Sequence, residues 1–174
     1  MAILSYPIYD TALFGTTAST THTLFQSGQG SSATKGYTIT NMRGSGQFPD
    51  RENFTIKRIG IHIDDIGLSD DDIQGLFMGS ILTVNYNNVK ILQIPSYMAS
   101  DKNDIQGIKT EASASAFDYF GQRGDGYVLD HPRTVNGGKN FSVDLFQALA
   151  LDSASMDIKV VLYGDLDSPD LSLS

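Results

Sequence analysis

Three histidines, His22, His62 and His131, are the residues of this chain best suited to hold a metal ion or move a proton near neutral pH. They lie far apart in the sequence, and no two stand at a spacing that makes a metal site by itself. His62 and Asp64 would share one face of an extended segment, so a ligand pair or an acid–base pair is conceivable there. The simpler reading is a polar residue on a solvated face beside an acidic turn. Asp64, Asp65, Asp70, Asp71 and Asp72 offer the hard oxygen ligands that Ca2+ takes, but without the spacing of an EF-hand loop. Acids in the first turn of a helix account for them well.

Arg123-Gly124-Asp125 spells an adhesive tripeptide in a Gly-rich stretch, a match short enough to arise by chance. Asn53-Phe54-Thr55 and Asn140-Phe141-Ser142 match the glycosylation sequon, yet each places Phe where a strand begins, and no signal peptide precedes them. There is no cysteine, which excludes disulfides, thiolate metal sites and cysteine nucleophiles together. No Gly-rich phosphate loop, nucleophile elbow or convincing pair of carboxylates is visible. No catalytic, cofactor-binding or metal-ligating residue is therefore assigned, and no enzymatic activity is expected. A cupin-like metalloenzyme would require His62 to meet His22 or His131 inside a barrel.

The net charge of −8 opposes binding to a phosphate backbone. The twelve Lys and Arg are scattered singly apart from Lys57-Arg58, and the first of them is Lys35, so no basic N-terminal arm is present. Direct nucleic-acid binding is not expected. The first residues have an apolar tint but no basic leader, and Pro7 and Asp10 interrupt them, so they read as neither signal peptide nor membrane span. A soluble protein made in the cytoplasm follows.

At 174 residues the chain suits one domain with a sizeable core. Two β-rich blocks, Asn53–Asp65 and Asn140–Gly164, each open on Asn-Phe and alternate apolar with polar residues. In the first, Phe54 and Ile56 keep one phase while Ile59, Ile61 and Ile63 keep the other. Since strand faces have a period of two, the slip at Lys57-Arg58 implies a bulge or a switch of sheet. Ser69, three residues before Asp72, predicts a short helix ending near Gly79. Ile81–Tyr86 and Val89–Pro95 flank Asn87-Asn88, residues that accept a left-handed hairpin turn.

Further strands are expected at Thr20–Gln26, Gly36–Met42, Gly126–Asp130, Phe141–Phe146 and Asp157–Tyr163, with a turn at Gly44–Asp50. Residues 96–120 break the rhythm. The resulting eight or so strands predict an all-β fold: a single eight-stranded jelly-roll sandwich or barrel with one or two short helices in its loops. Residues 1–19 read as an extended N-terminal arm, 20–165 as the jelly-roll domain and 166–174 as a polar tail. Deleting Met1–Ser19 is thus expected to leave the fold intact while weakening assembly.

Several stretches together resemble the jelly-roll capsid proteins of icosahedral viruses, in particular the small single and tandem jelly rolls of bacteriophages. They are Thr40-Asn41-Met42 before a Gly-rich turn ending in Phe48-Pro49, the strand FTIKRIGIHID, the short acidic helix and the hairpin ILTVNYNNVKILQIP. Tyr127–Pro132, Phe141–Phe146 and the closing strand IKVVLYGDL complete the order. The resemblance implies a virion structural protein, made in the host cytoplasm, whose copies associate into capsomers of a closed shell as the major or the vertex protein. Its partners would be copies of itself, with other capsid or internal-membrane proteins of the virion. It implies no cofactor. The rival from another class is a carbohydrate- or receptor-binding jelly-roll domain of a virion spike. In a chain without Trp, its aromatic platform would fall to Tyr86, Tyr97, Tyr119 or Tyr127.

Overall fold

The computed structural model describes residues 2–30, 38–63, 79–100, 125–151 and 155–169. Eight strands run in order: β1 (Ala2–Gly15), β2 (Thr20–Leu24), β3 (Asn53–Ile63), β4 (Ile81–Tyr86), β5 (Val89–Pro95), β6 (Tyr127–Asn136), β7 (Phe141–Gln147) and β8 (Ser155–Ser168). They form two four-stranded antiparallel sheets, ordered β1-β8-β3-β6 and β2-β7-β4-β5. Strand pairs of decreasing separation, β1 with β8, β2 with β7, β3 with β6 and β4 with β5, wrap one inside the next. That is the jelly-roll winding of two Greek keys. A 3-10 turn, Ser96–Ala99, follows β5; the expected helix over Ser69–Gly79 lies largely outside the described residues.

Alternation dictates the core. In β7 every second residue (Phe141, Val143, Leu145, Gln147) is buried, and β8 does the same with Met156, Ile158, Val160 and Leu162. The phase slip in β3 is a bulge: both of its ladders shift register between Ile56 and Arg58, so Phe54 and Ile56 before it and Ile59 and Ile61 after it all enter the core. Asn87 and Asn88 hold φ of 49° and 63°, the doubly left-handed turn that matches strand twist, and close β4 onto β5. Phe48, from the β2–β3 connection, stacks on Phe54 of one sheet and Phe141 of the other at centroid distances of 5.4 and 5.3 Å. It thereby joins the two layers.

Three boundaries differ from the sequence reading. The supposed arm is β1, paired with β8 from Ala2↔Ser168 to Gly15↔Ser155 and burying Ile8, Asp10, Ala12 and Phe14. The supposed tail starts too early, because Leu166 and Ser168 are buried residues of β8 and the Ser168 hydroxyl donates to Glu52 Oε1 at 3.0 Å. The domain therefore includes both segments. Of the strand expected at Gly36–Met42, residues 38–42 form none; their polar groups instead dress the outer edge of β1. Asn41 accepts from the Tyr9 amide through Oδ1 (2.8 Å) and donates through Nδ2 to the Pro7 carbonyl (2.8 Å), while Thr11 donates to the Ile39 carbonyl (2.9 Å). A side-chain amide carries the same donor and acceptor as a peptide unit, so Asn41 stands where a neighbouring strand would.

Asp10 ties the first sheet to the second. Its carboxylate is 1% exposed and accepts from the amides of Thr11 (3.0 Å) and Phe25 (2.6 Å), the latter held at a left-handed φ of 65° just past β2. Asp10→Ala strands the buried Phe25 amide, and a loss of about 2–3 kcal/mol is expected. The check is a urea midpoint that falls at unchanged slope. Asp10→Asn, which keeps an acceptor, is expected to lose less, and equal midpoints for Asp10→Ala and the parent would refute the tie.

Candidate functional site

The ladders sort the connections to opposite ends of the sandwich. Gly15 faces Ser155, Ile63 faces Ile158 and Ile59 faces Tyr127 in one sheet; Thr20 faces Gln147, and Ile81 faces both Phe146 and Pro95 in the other. The connections 16–19, 64–80, 96–126 and 148–154 consequently leave from one end, the loop end. The tight turn at Asn87-Asn88 and the turn 137–140 occupy the other, the turn end, from which the connection 25–52 also leaves.

At the loop end the second sheet carries several exposed apolar residues. Ile81 (37% exposed) lies between Phe146 and Pro95, Tyr97 and Met98 follow in the 3-10 turn, and Leu149 (56% exposed) sits against Gly79 just before β4. Exposed apolar side chains that lie together are the material from which contact surfaces are commonly built.

The four sheet edges are blunted. β1 is covered by Asn41 and Thr40; β2 has five residues. β6 leaves its ladder between Val128 and Arg133, exposing Asp130, His131 and Pro132, and β5 presents exposed Lys90 and Pro95. Charge, proline, irregular register and shortness are the devices by which sheet edges resist adding another strand.

The histidines do not converge. His22 lies on β2, stacked on Phe14 at 4.5 Å with Nε2 3.2 Å from Gln147 Oε1. Gln147, itself 2% exposed, donates to the carbonyls of Gly15 (2.6 Å) and Leu149 (2.8 Å), so this histidine belongs to a tie between strand ends. His62 lies on the other sheet, its Nε2 3.2 Å from the Tyr163 hydroxyl, and His131 is exposed on β6. Among the described residues no three His, Cys, Asp or Glu side chains gather as a metal site. The acidic cluster Asp64–Asp72, Arg123, Gly124 and Tyr119 lie outside the described residues. Asp125 is exposed, and its carbonyl accepts from Arg58 Nη1 at 2.9 Å.

The lone basic doublet is engaged within the outer face of the first sheet. Lys57 Nζ is 2.5 Å from Asp165, and the Arg58 guanidinium lies 3.7 Å over the Tyr163 ring. Both sequon asparagines take part in local structure: Asn53 Oδ1 accepts from the Gly137 amide at 3.4 Å, and Asn140 Oδ1 accepts from Gln47 Nε2. Tyr86 and Tyr127 pack partly buried against the core. The described residues also line two open clefts. One of about 560 Å³ lies on the first sheet near the loop end, lined by Thr11, His62, Asp157 and Lys159 among others. The second, about 240 Å³, lies at the turn end between Thr23, Asn85, Asn140 and Ser142.

Sequence reasoning missed Asp10, Gln147 and Asn41, whose roles depend on partners far along the chain. It also missed that the connections 64–80 and 96–126 leave from the same end, which follows from strand order and has no local signal. Comparison with family models, characterised proteins and solved structures found no match for this chain.

Proposed function

We propose that this chain is the structural subunit of an icosahedral virus shell, assembling with copies of itself as the major shell protein or the vertex protein. The observation that carries the reading is the winding of β1 to β8 into β1-β8-β3-β6 and β2-β7-β4-β5. A fold alone hosts many functions, so the surface must supply the rest. Its edges are blunted, which disfavours open-ended strand addition, and Ile81, Tyr97, Met98 and Leu149 stand exposed at the loop end. Closed assembly needs that combination: repeated heterologous contacts through ends and loops that turn back on themselves, without edge-to-edge growth. The acidic balance leaves genome neutralisation to other components of the virion.

Leu149→Asp combined with Tyr97→Asp is expected to reduce assembled material by tenfold or more while changing subunit stability by less than about 1 kcal/mol, as exposed substitutions do. Sedimentation of parent and variant at equal concentration checks this. Full assembly of the double variant would remove the loop end from the contact.

A further inference from the structure

The turn-end cleft points to a second role. Its lining includes Thr23, Gln26, Asn85, Asn88, Asn140 and Ser142, and no Lys, Arg, Asp or Glu borders it among the described residues. In an acidic chain this is a concentrated neutral surface of amides and hydroxyls. Such a surface offers donors and acceptors in close alternation, and a ligand with the same alternation can satisfy it.

The amides are held in fixed orientations. Asp144 lies beside the cleft on β7, and its carboxylate accepts from Thr23 Oγ1 (2.8 Å) and Asn85 Nδ2 (2.7 Å). A carboxylate only accepts, so Asn85 must turn its NH2 toward Asp144; the same nitrogen reaches Ser142 Oγ at 3.3 Å. The Asn85 carbonyl oxygen is thereby left as an acceptor. Asn140 is oriented the opposite way: its Oδ1 accepts from Gln47 Nε2, leaving Nδ2 as a donor. Gln26 donates to the Phe141 carbonyl at 3.3 Å, which leaves its own carbonyl as another acceptor.

The backbone around these groups is equally set. Gly46 donates to the Phe25 carbonyl and accepts from the Phe141 amide, each at 2.8 Å, and Asn87 donates to the Asn140 carbonyl at 2.8 Å. A rigid wall with preset donors and acceptors loses little entropy when a ligand arrives.

The geometry points to a binding site for a neutral sugar ring, whose adjacent hydroxyls each donate and accept. Anions would meet carbonyl oxygens with no cationic side chain in the described lining, and cations would meet no carboxylate there, Asp144 lying outside it and bonded to Thr23 and Asn85. At about 240 Å³ the cleft falls below the usual pocket size of about 300–1,000 Å³, so it suits one ring and not a buried chain. Lacking an exposed aromatic platform among its described lining, it binds each sugar weakly, in the millimolar range, and gains strength where many copies are displayed together. This inference does not rest on the assembly reading.

Saturation-transfer NMR on the whole protein reads sugar binding for a monomer or a large particle alike. The probes are the methyl glycosides of glucose, galactose, mannose and N-acetylglucosamine. Transfer to at least one is expected, falling tenfold or more in Asn85→Ala and in Asn140→Ala. The second variant alters an exposed turn residue and serves if the first fails to fold. Absence of transfer to all four sugars, or transfer unchanged in both variants, would overturn the proposal.

Discussion

A chain from which residues 1–15 have been removed is expected to lose its cooperative fold altogether. β1 supplies the whole of one edge of the first sheet, and its inward side chains include Phe14, fully buried, and Ile8, 2% exposed. Truncating a single buried Phe costs about 3–5 kcal/mol and a buried Ile about 2–5, against a total stability of about 5–15 kcal/mol for an ordinary domain. The deletion adds the loss of Asp10, which holds the Phe25 amide, and of the Gly15 groups that satisfy Gln147. It also bares β8 as an edge across most of its length. Circular dichroism and a denaturant titration decide the matter: no cooperative transition and aggregation on expression are expected. A folded, soluble truncated chain would restore the reading of these residues as an assembly arm.

Gly164→Ala is expected to be nearly as damaging, from one added carbon. Gly164 is buried in β8 between Tyr6 of β1 and Ile56 of β3, beside the bulge at Lys57. A Cβ there would stand far inside contact of the Thr55 carbonyl oxygen, 2.9 Å from its carbon and 3.0 Å from Phe54 Cζ. The obstacles are mainly backbone, which moves only if two strands part. Losses of about 3 kcal/mol or more follow, or about 6–12 °C in Tm for a domain of this size. Gly30→Ala provides the contrast. Gly30 has φ of +78° but nothing within 4 Å among the described residues, so its cost is set by the left-handed strain, about 1–2 kcal/mol. Equal thermal shifts for the two variants would show that the close approach at Gly164 does not constrain the sheet.

What the sequence made legible was local. The β3 bulge, the Asn87-Asn88 hairpin and the alternation of β7 are written in neighbouring residues, and the jelly-roll architecture followed from the number and spacing of such runs. β1 escaped because its inward set contains Asp10 and Ala12 while its outward set contains Ile3 and Leu13, 73% and 60% exposed. Hydropathy then shows no period. Pro7 read as an interruption, yet on an edge strand a missing amide is tolerated. Residues 38–42 erred the other way: an alternating pattern stood in for a strand, whereas Asn41 supplies strand-like hydrogen bonds from its side chain. The polar end of β8 misled because Asp165 and Asp167 alternate with Leu166 and Ser168, so the acids were read before the period. Neither the loop-end apolar cluster nor the amide cleft has a sequence signature. Each unites residues from strands that only the winding brings together.

The assembly role meets its most direct test in the solution mass of the purified protein, followed by light scattering over a range of concentration and salt, with negative-stain images of any large species. Rings or closed particles of uniform size, with a mass many times the 18.9 kDa of one chain, are the predicted result. A monomer at every concentration and salt would contradict it.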